Sequence, residues 1–174
     1  MEVTVRDFIE EALATVWDNL HKATIELTQD QLGWRPSDQA NSIGYTLWHV
    51  GRVEDNFIQR FILRGDEIWA AKGWQERFGY ETRGIGTGFT TEETEEVPIV
   101  AAGTLWSYMN EVRDSTLAYI SDLDWSTLPQ KPREDRFPEW SIQTILRQLI
   151  AHSNQHLGEI NYIRGLMGLE GALG

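Results

Sequence analysis

Apolar residues recur along the first stretch of the chain at Ile9, Leu13, Val16, Leu20, Ala23 and Leu27, in alternating steps of four and three. That rhythm predicts a helix with a narrow apolar seam, as in a packed bundle. A second helix is predicted from Asn41 or Ser42, either able to serve as N-cap, to about Arg64 before Gly65. Its apolar face is Ile43, Val50, Phe57 and Phe61, with Leu47 and Val53 on the shoulders. A third follows Pro98 with the seam Ala102, Leu105, Met109, Val112, Thr116, Tyr119 and Leu123. A fourth starts at the N-cap Ser141 and runs to about Met167, where the glycines at 165, 168, 171 and 174 end it. No stretch alternates as a strand does. The pattern predicts an all-α fold, a four-helix bundle occupying residues 1–174 as a single domain.

The connections are informative too. Residues 28–41 contain Gly33 and Pro36, and the proline disfavours helical geometry at Arg35. Residues 65–97, rich in glycine and threonine with the acidic run Glu92-Glu93-Thr94-Glu95-Glu96, form a long connection after the second helix. Segments of that length within a compact domain tend to be functional. A lid is therefore expected there, with Trp69, Trp74 and Phe89 as candidates for shaping a substrate site. A second long connection, residues 124–140 after the third helix, contains Pro129, Pro132 and Pro138.

Composition narrows the function. A net charge of -12 without a basic patch argues against nucleic acid. No apolar run approaches the ~20 residues needed to span a bilayer. The opening Met1-Glu2-Val3-Thr4-Val5-Arg6-Asp7 lacks the build of a secretory signal, so cytoplasmic residence is expected. The chain has no cysteine, which removes disulfides, thiolate ligands and a cysteine nucleophile. Eight tryptophans are many for 174 residues, and supply core packing, a pocket wall or a subunit interface.

The chemistry concentrates in the fourth helix. Counted by threes and fours, its seam reads Ile142, Ile145, Leu149, His152, His156, Glu159, Ile163, Leu166. Three consecutive polar groups on a core-facing seam would each cost about 1–3 kcal/mol without partners. Satisfied core histidines are one explanation. A metal ion is the sharper one, since histidines at i and i+4 can converge on one centre. A third ligand must come from elsewhere. His21 reads as a boundary or exposed position, while His49 and Glu54 both lie near the second helix's apolar face and rank evenly.

The segments Asn41-Ser42-Ile43-Gly44-Tyr45-Thr46-Leu47-Trp48-His49-Val50 and His152-Ser153-Asn154-Gln155-His156-Leu157-Gly158-Glu159-Ile160-Asn161-Tyr162-Ile163-Arg164-Gly165, with Trp34-Arg35-Pro36 between the first two helices, resemble the DinB-like superfamily. The resemblance extends over essentially the whole chain. It implies a four-helix bundle with a three-histidine metal site, whose ligands fall on His49, His152 and His156. It further implies bound zinc or nickel and a homodimer. It also implies kinship with enzymes using a low-molecular-weight thiol, among them bacillithiol- or mycothiol-dependent transferases and a mycothiol-dependent maleylpyruvate isomerase.

Three neutral imidazoles leave an ion positively charged with an open position, which suits activation of water or a thiol. The expected function is a metal-dependent enzyme, a thiol transferase or hydrolase acting on a small-molecule substrate. Any thiol must be a small-molecule cofactor. Glu159 is the candidate catalytic acid–base or orienting group, Glu54 and Gln155 are weaker ones, and Arg164 reads equally well as a helix-end cation. The alternative is a non-catalytic bundle in which the ion cross-links the second and fourth helices.

Overall fold

The structure, a computed structural model, describes residues 3–133 and 135–172. Gly174, expected among the helix-ending glycines, lies outside them. Among the described residues all regular structure is helical, as expected for an all-α fold. Helix α1 (Val5–Thr24) opens with a capping box in which Thr4 and Asp7 satisfy each other's backbone amides. Its predicted seam is the buried one, from Ile9 to Leu27. A single turn, α2 (Gln29–Gly33), follows.

Helix α3 (Ile43–Asp55) starts at the N-cap Ser42, whose hydroxyl accepts from the Tyr45 amide. Every residue of it is buried, because other helices pack around it. The predicted second helix is therefore the central one, and it carries Arg52, Glu54 and Asp55 into the interior. It does not stay α-helical to Arg64. A π-helical segment, Asn56–Ile62, continues it, with the Leu63 amide donating to the Ile58 carbonyl at 2.9 Å. Such wider turns shift the phase of the residues they contain and are frequent near functional sites.

Three short helices follow, α4 (Ile68–Ala71), α5 (Trp74–Phe78) and α6 (Thr91–Glu95), then the long α7 (Ala102–Asp122) and α8 (Ile142–Leu166). The long helices touch in the ring α1, α8, α3, α7 and back to α1. Residue pairs give their directions. The end of α8 meets the end of α1, where Arg164 donates to the Ala23 carbonyl at 2.6 Å. The start of α7 meets the end of α1, where the Trp106 indole donates to Thr24 at 2.9 Å. The start of α3 faces the end of α8 through Asn41 and Glu159. Gln59 bonds Ser115 late in α7. Helices α1 and α8 are thus parallel, as are α3 and α7, and the two pairs run oppositely.

This topology explains the length of the connection after the second helix. Two consecutive long helices that run parallel need a crossover returning over the bundle, here about 30 Å. The crossover is fastened to the bundle at its start. Asp55 accepts from the Ile68 and Trp69 amides at 2.9 Å each, Arg52 donates to Glu67 at 2.8 Å, and Tyr108 donates to Asp55 at 2.9 Å. Trp69 and Trp74 pack on Tyr108 inside this knot, so they belong to the core and not to a substrate wall. Phe89 alone of the three aromatic candidates lines the cleft described below.

The seam expected along α8 needs correction in its second half. Its buried stripe runs Ile145, Leu149, Ser153, Leu157, Ile160, Ile163, while Leu166 is exposed. The stripe steps by four through Ser153, which moves His152 and His156 one residue, about 100°, to the side. The last turn of α7 shifts likewise, burying Ile120 in place of the half-buried Tyr119 and Leu123. No helix is long and apolar enough to cross a membrane among the described residues.

Candidate metal centre

The flank onto which His152 and His156 turn faces α3. His49 lies opposite them, 8% exposed, while the other two are half-buried. The Nε2 atom of His152 is 3.1 Å from Nε2 of His49 and 3.2 Å from Nε2 of His156. Each of the three offers a ligand atom within 4.8 Å of the others. Two nitrogens bound to one ion at about 2.0–2.1 Å in near-tetrahedral geometry sit about 3.3 Å apart, so the spacing fits a shared centre.

The opposite ring nitrogens show how the cluster is oriented. His49 Nδ1 lies 2.5 Å from the Ile85 carbonyl, which can only accept, so Nδ1 carries the proton. His156 Nδ1 bonds the Glu159 carboxylate at 2.8 Å in the same sense. Both therefore present Nε2 lone pairs toward His152. One imidazole proton on His152 cannot serve both contacts well, whereas a cation between the three nitrogens satisfies all of them. Burial, then the neighbouring imidazoles, push His152 down to about 3, and burial likewise lowers His49. Neutral rings are the form a metal requires.

Glu159 stands behind His156, with Oε2 on the ring and Oε1 accepting from Asn41 at 3.3 Å. The hydrogen bond from His156 holds its carboxyl below the usual range. Glu54 is not brought to the cluster. Its carboxylate is buried between Arg113 at 2.8 Å and Thr116 at 2.7 Å. Of the two evenly ranked residues, only His49 faces the other histidines. His21 is exposed against Trp106, Gln155 lines the cleft mouth, and Arg164 ties the end of α8 to Ala23 and Glu170.

Sequence reasoning missed the backbone that holds His49. The segment Gly84-Ile85-Gly86-Thr87-Gly88-Phe89 lies over that ring, giving the Ile85 carbonyl to His49 and the Gly86 carbonyl to the Tyr45 hydroxyl at 2.8 Å. The Tyr45 ring lies nearly parallel to the imidazole, and burial raises its phenol to about 12. Gly86 has φ +89, and a Cβ there would sit 2.8 Å from His49 Nδ1 and 3.0 Å from the Tyr45 oxygen. The alternating glycines were the available signal of close backbone approach. Gly86→Ala is expected to push the loop off His49 and weaken metal binding about 10–100-fold, measured by chelator competition.

The cluster opens onto a cleft of about 840 Å³ between α3, the crossover and the 124–140 connection, with Phe89, Phe57 and Trp140 among its walls. A sequence profile of the DinB superfamily matches residues 12–160 of the chain. The chain belongs to the DinB superfamily. A solved structure described as the crystal structure of the conserved protein of locus from Enterococcus faecalis shares this DinB-like fold. It has a TM-score of 0.83 at 20% identity, over 96% of this chain and 99% of that one. No curated protein sequence matches the chain.

Proposed function

We propose that this DinB-superfamily chain holds one divalent ion, zinc or nickel, through His49, His152 and His156, and is a metal-dependent enzyme. Its nucleophile is a low-molecular-weight thiol such as bacillithiol or mycothiol, or else water, and its substrate is a small electrophile in the cleft. The observation that carries this reading is the convergence of three Nε2 atoms, two with their Nδ1 protons already committed, at the wall of an open cleft. When bound, the ion supplies Lewis acidity, which lowers the pKa of a water or thiol.

The chain's own residues do the rest. The Ile85 carbonyl and Glu159 fix the tautomer and direction of two ligands. Glu159, with both oxygens engaged, is a positioning residue in this reading. Tyr45 keeps its proton at neutral pH and holds the Gly86 carbonyl. With no cysteine available, a thiol must be brought in. A homodimer and cytoplasmic residence belong to the same reading; exposed Val3, Val5 and Phe8 near the start of α1 offer an apolar face for the former.

Reconstitution with zinc or nickel followed by mass spectrometry is expected to give about one ion per chain. Markedly less would remove the site. Loss of a model electrophile with added thiols, or of an activated ester without them, should then require the ion. Metal binding with neither reaction, and an unchanged melting temperature on metal removal, would leave the ion without a role in catalysis or stability. Glu159→Ala is expected to weaken metal binding about 10–100-fold. Glu159→Gln should lose less, because its amide oxygen still accepts from His156 Nδ1. Wild-type affinity in both variants would end the positioning role.

A further inference from the structure

The histidines occupy one part of the cleft, and the remainder differs in charge from the rest of the protein. The chain has 27 acidic residues against 15 lysines and arginines. Yet Arg60, Arg83 and Arg136 line the cleft, and no aspartate or glutamate does among the described residues. Nearby, Arg133 is neutralised by Asp135 through two bonds of 2.9 Å. Arg60 has only Glu67 at 4.0 Å, and neither Arg83 nor Arg136 has a carboxylate within 4.0 Å among the described residues. A concave, partly apolar surface of one sign focuses its field on an opposite charge. In so acidic a protein, that sign reversal marks what enters.

The same cleft also has an aromatic wall. Phe61 packs on Phe137 at 4.8 Å, and Trp140 on Phe57 and Phe137 at 5.4 Å each. Arg60 follows His49 by eleven residues along one nearly continuous helix, about 15 Å.

We propose that the cleft takes an elongated organic anion. Its carboxylate or phosphate lies among Arg60, Arg83 and Arg136, its apolar body lies on the aromatic wall, and its far end reaches the histidines. Guanidinium groups suit such heads because their planar forks match two oxygens at once. The inference names the substrate class for the metal site and rests on that reading only for the reactive end.

The test uses two fluorescent probes of one scaffold, anilinonaphthalene sulfonate and its uncharged relative N-phenylnaphthylamine, titrated into the metal-free full chain. The sulfonate is expected to bind about ten-fold tighter or better. Arg83→Gln/Arg136→Gln should weaken it about ten-fold and leave the neutral probe unchanged, while Arg83→Lys/Arg136→Lys keeps most of the affinity. Phenylhexanoate and phenylhexyl phosphate should displace it, their order identifying the preferred head, and phenylhexanol should not.

Equal binding of the two probes, unchanged sulfonate binding in the glutamine variant, or displacement by the alcohol would overturn the proposal. So would loss of the signal in Phe8→Ser, which would place the probe on the apolar groove beside α1. A chain that takes up no metal yet discriminates charge keeps the anion site and loses the metal reading; the reverse result does the opposite.

Discussion

His152→Ala is expected to strip the reconstituted protein of its ion while leaving the bundle folded. His152 is the middle member of the cluster, within 3.2 Å of both other Nε2 atoms, so no pair of remaining histidines closes the gap. If each ligand carries about a quarter of the ~10–16 kcal/mol found for four-ligand zinc sites, affinity falls on the order of 10²–10³-fold. The fold should tolerate the change, because His152 lies beside the buried stripe of α8 and not in it. A metal-free melting temperature within a few degrees of wild type is expected, together with loss of the metal-induced rise that preferential binding to the native state produces. Retention of about one ion per chain after dialysis would show that the ligands lie elsewhere.

The second large effect concerns stability. Asp55→Ala should lower it by about 3–5 kcal/mol, a fall of roughly 10 °C in melting temperature. The carboxylate simultaneously receives two backbone amides that begin α4, the Tyr108 hydroxyl and the Arg52 guanidinium, all with negligible exposure. Removing it leaves Arg52 buried with Glu67 as its one carboxylate partner. The same guanidinium donates to the Gly84 carbonyl at 3.4 Å, next to the residue that orients His49. The variant should therefore also show a smaller metal-induced rise in melting temperature. Unfolding within about 1 kcal/mol of wild type would mean that the knot does not fasten the crossover.

The sequence pattern carried the reading of α1, the caps at Ser42 and Ser141 and the extent of α8, and it put His152 and His156 on one side of α8, though on the buried seam and not about 100° beside it. It did so because in α1 and α8 one buried face repeats at helical spacing while the opposite face stays wet. It failed on α3, where neighbours on every side bury the whole circumference. An amphipathic pattern cannot report a helix with no wet face, so Arg52 and Asp55 went unremarked and Glu54 looked like a ligand. His49 could not be separated from Glu54 by angle, because what separates them lies at distant positions, Arg113 and Thr116 for one and His152 for the other. The Ile85 carbonyl was illegible for a simpler reason. Backbone oxygens are common to every residue, and only the glycines around it hinted that the chain comes close.

The ring order of the long helices also bears on how the protein is made. Helix α1 packs mainly against α7 and α8, so its apolar stripe meets no long-helix partner until residues from Ala102 onward have been synthesised. At ~5–20 residues per second, the intervening stretch of about 80 residues takes ~4–16 s. During that interval the nascent chain exposes a stripe from Ile9 to Leu27 to whatever binds greasy helices at the ribosome exit. The histidines emerge in a similarly staggered way, His49 well before His152 and His156. The three-histidine cluster is therefore complete only after translation of the final helix.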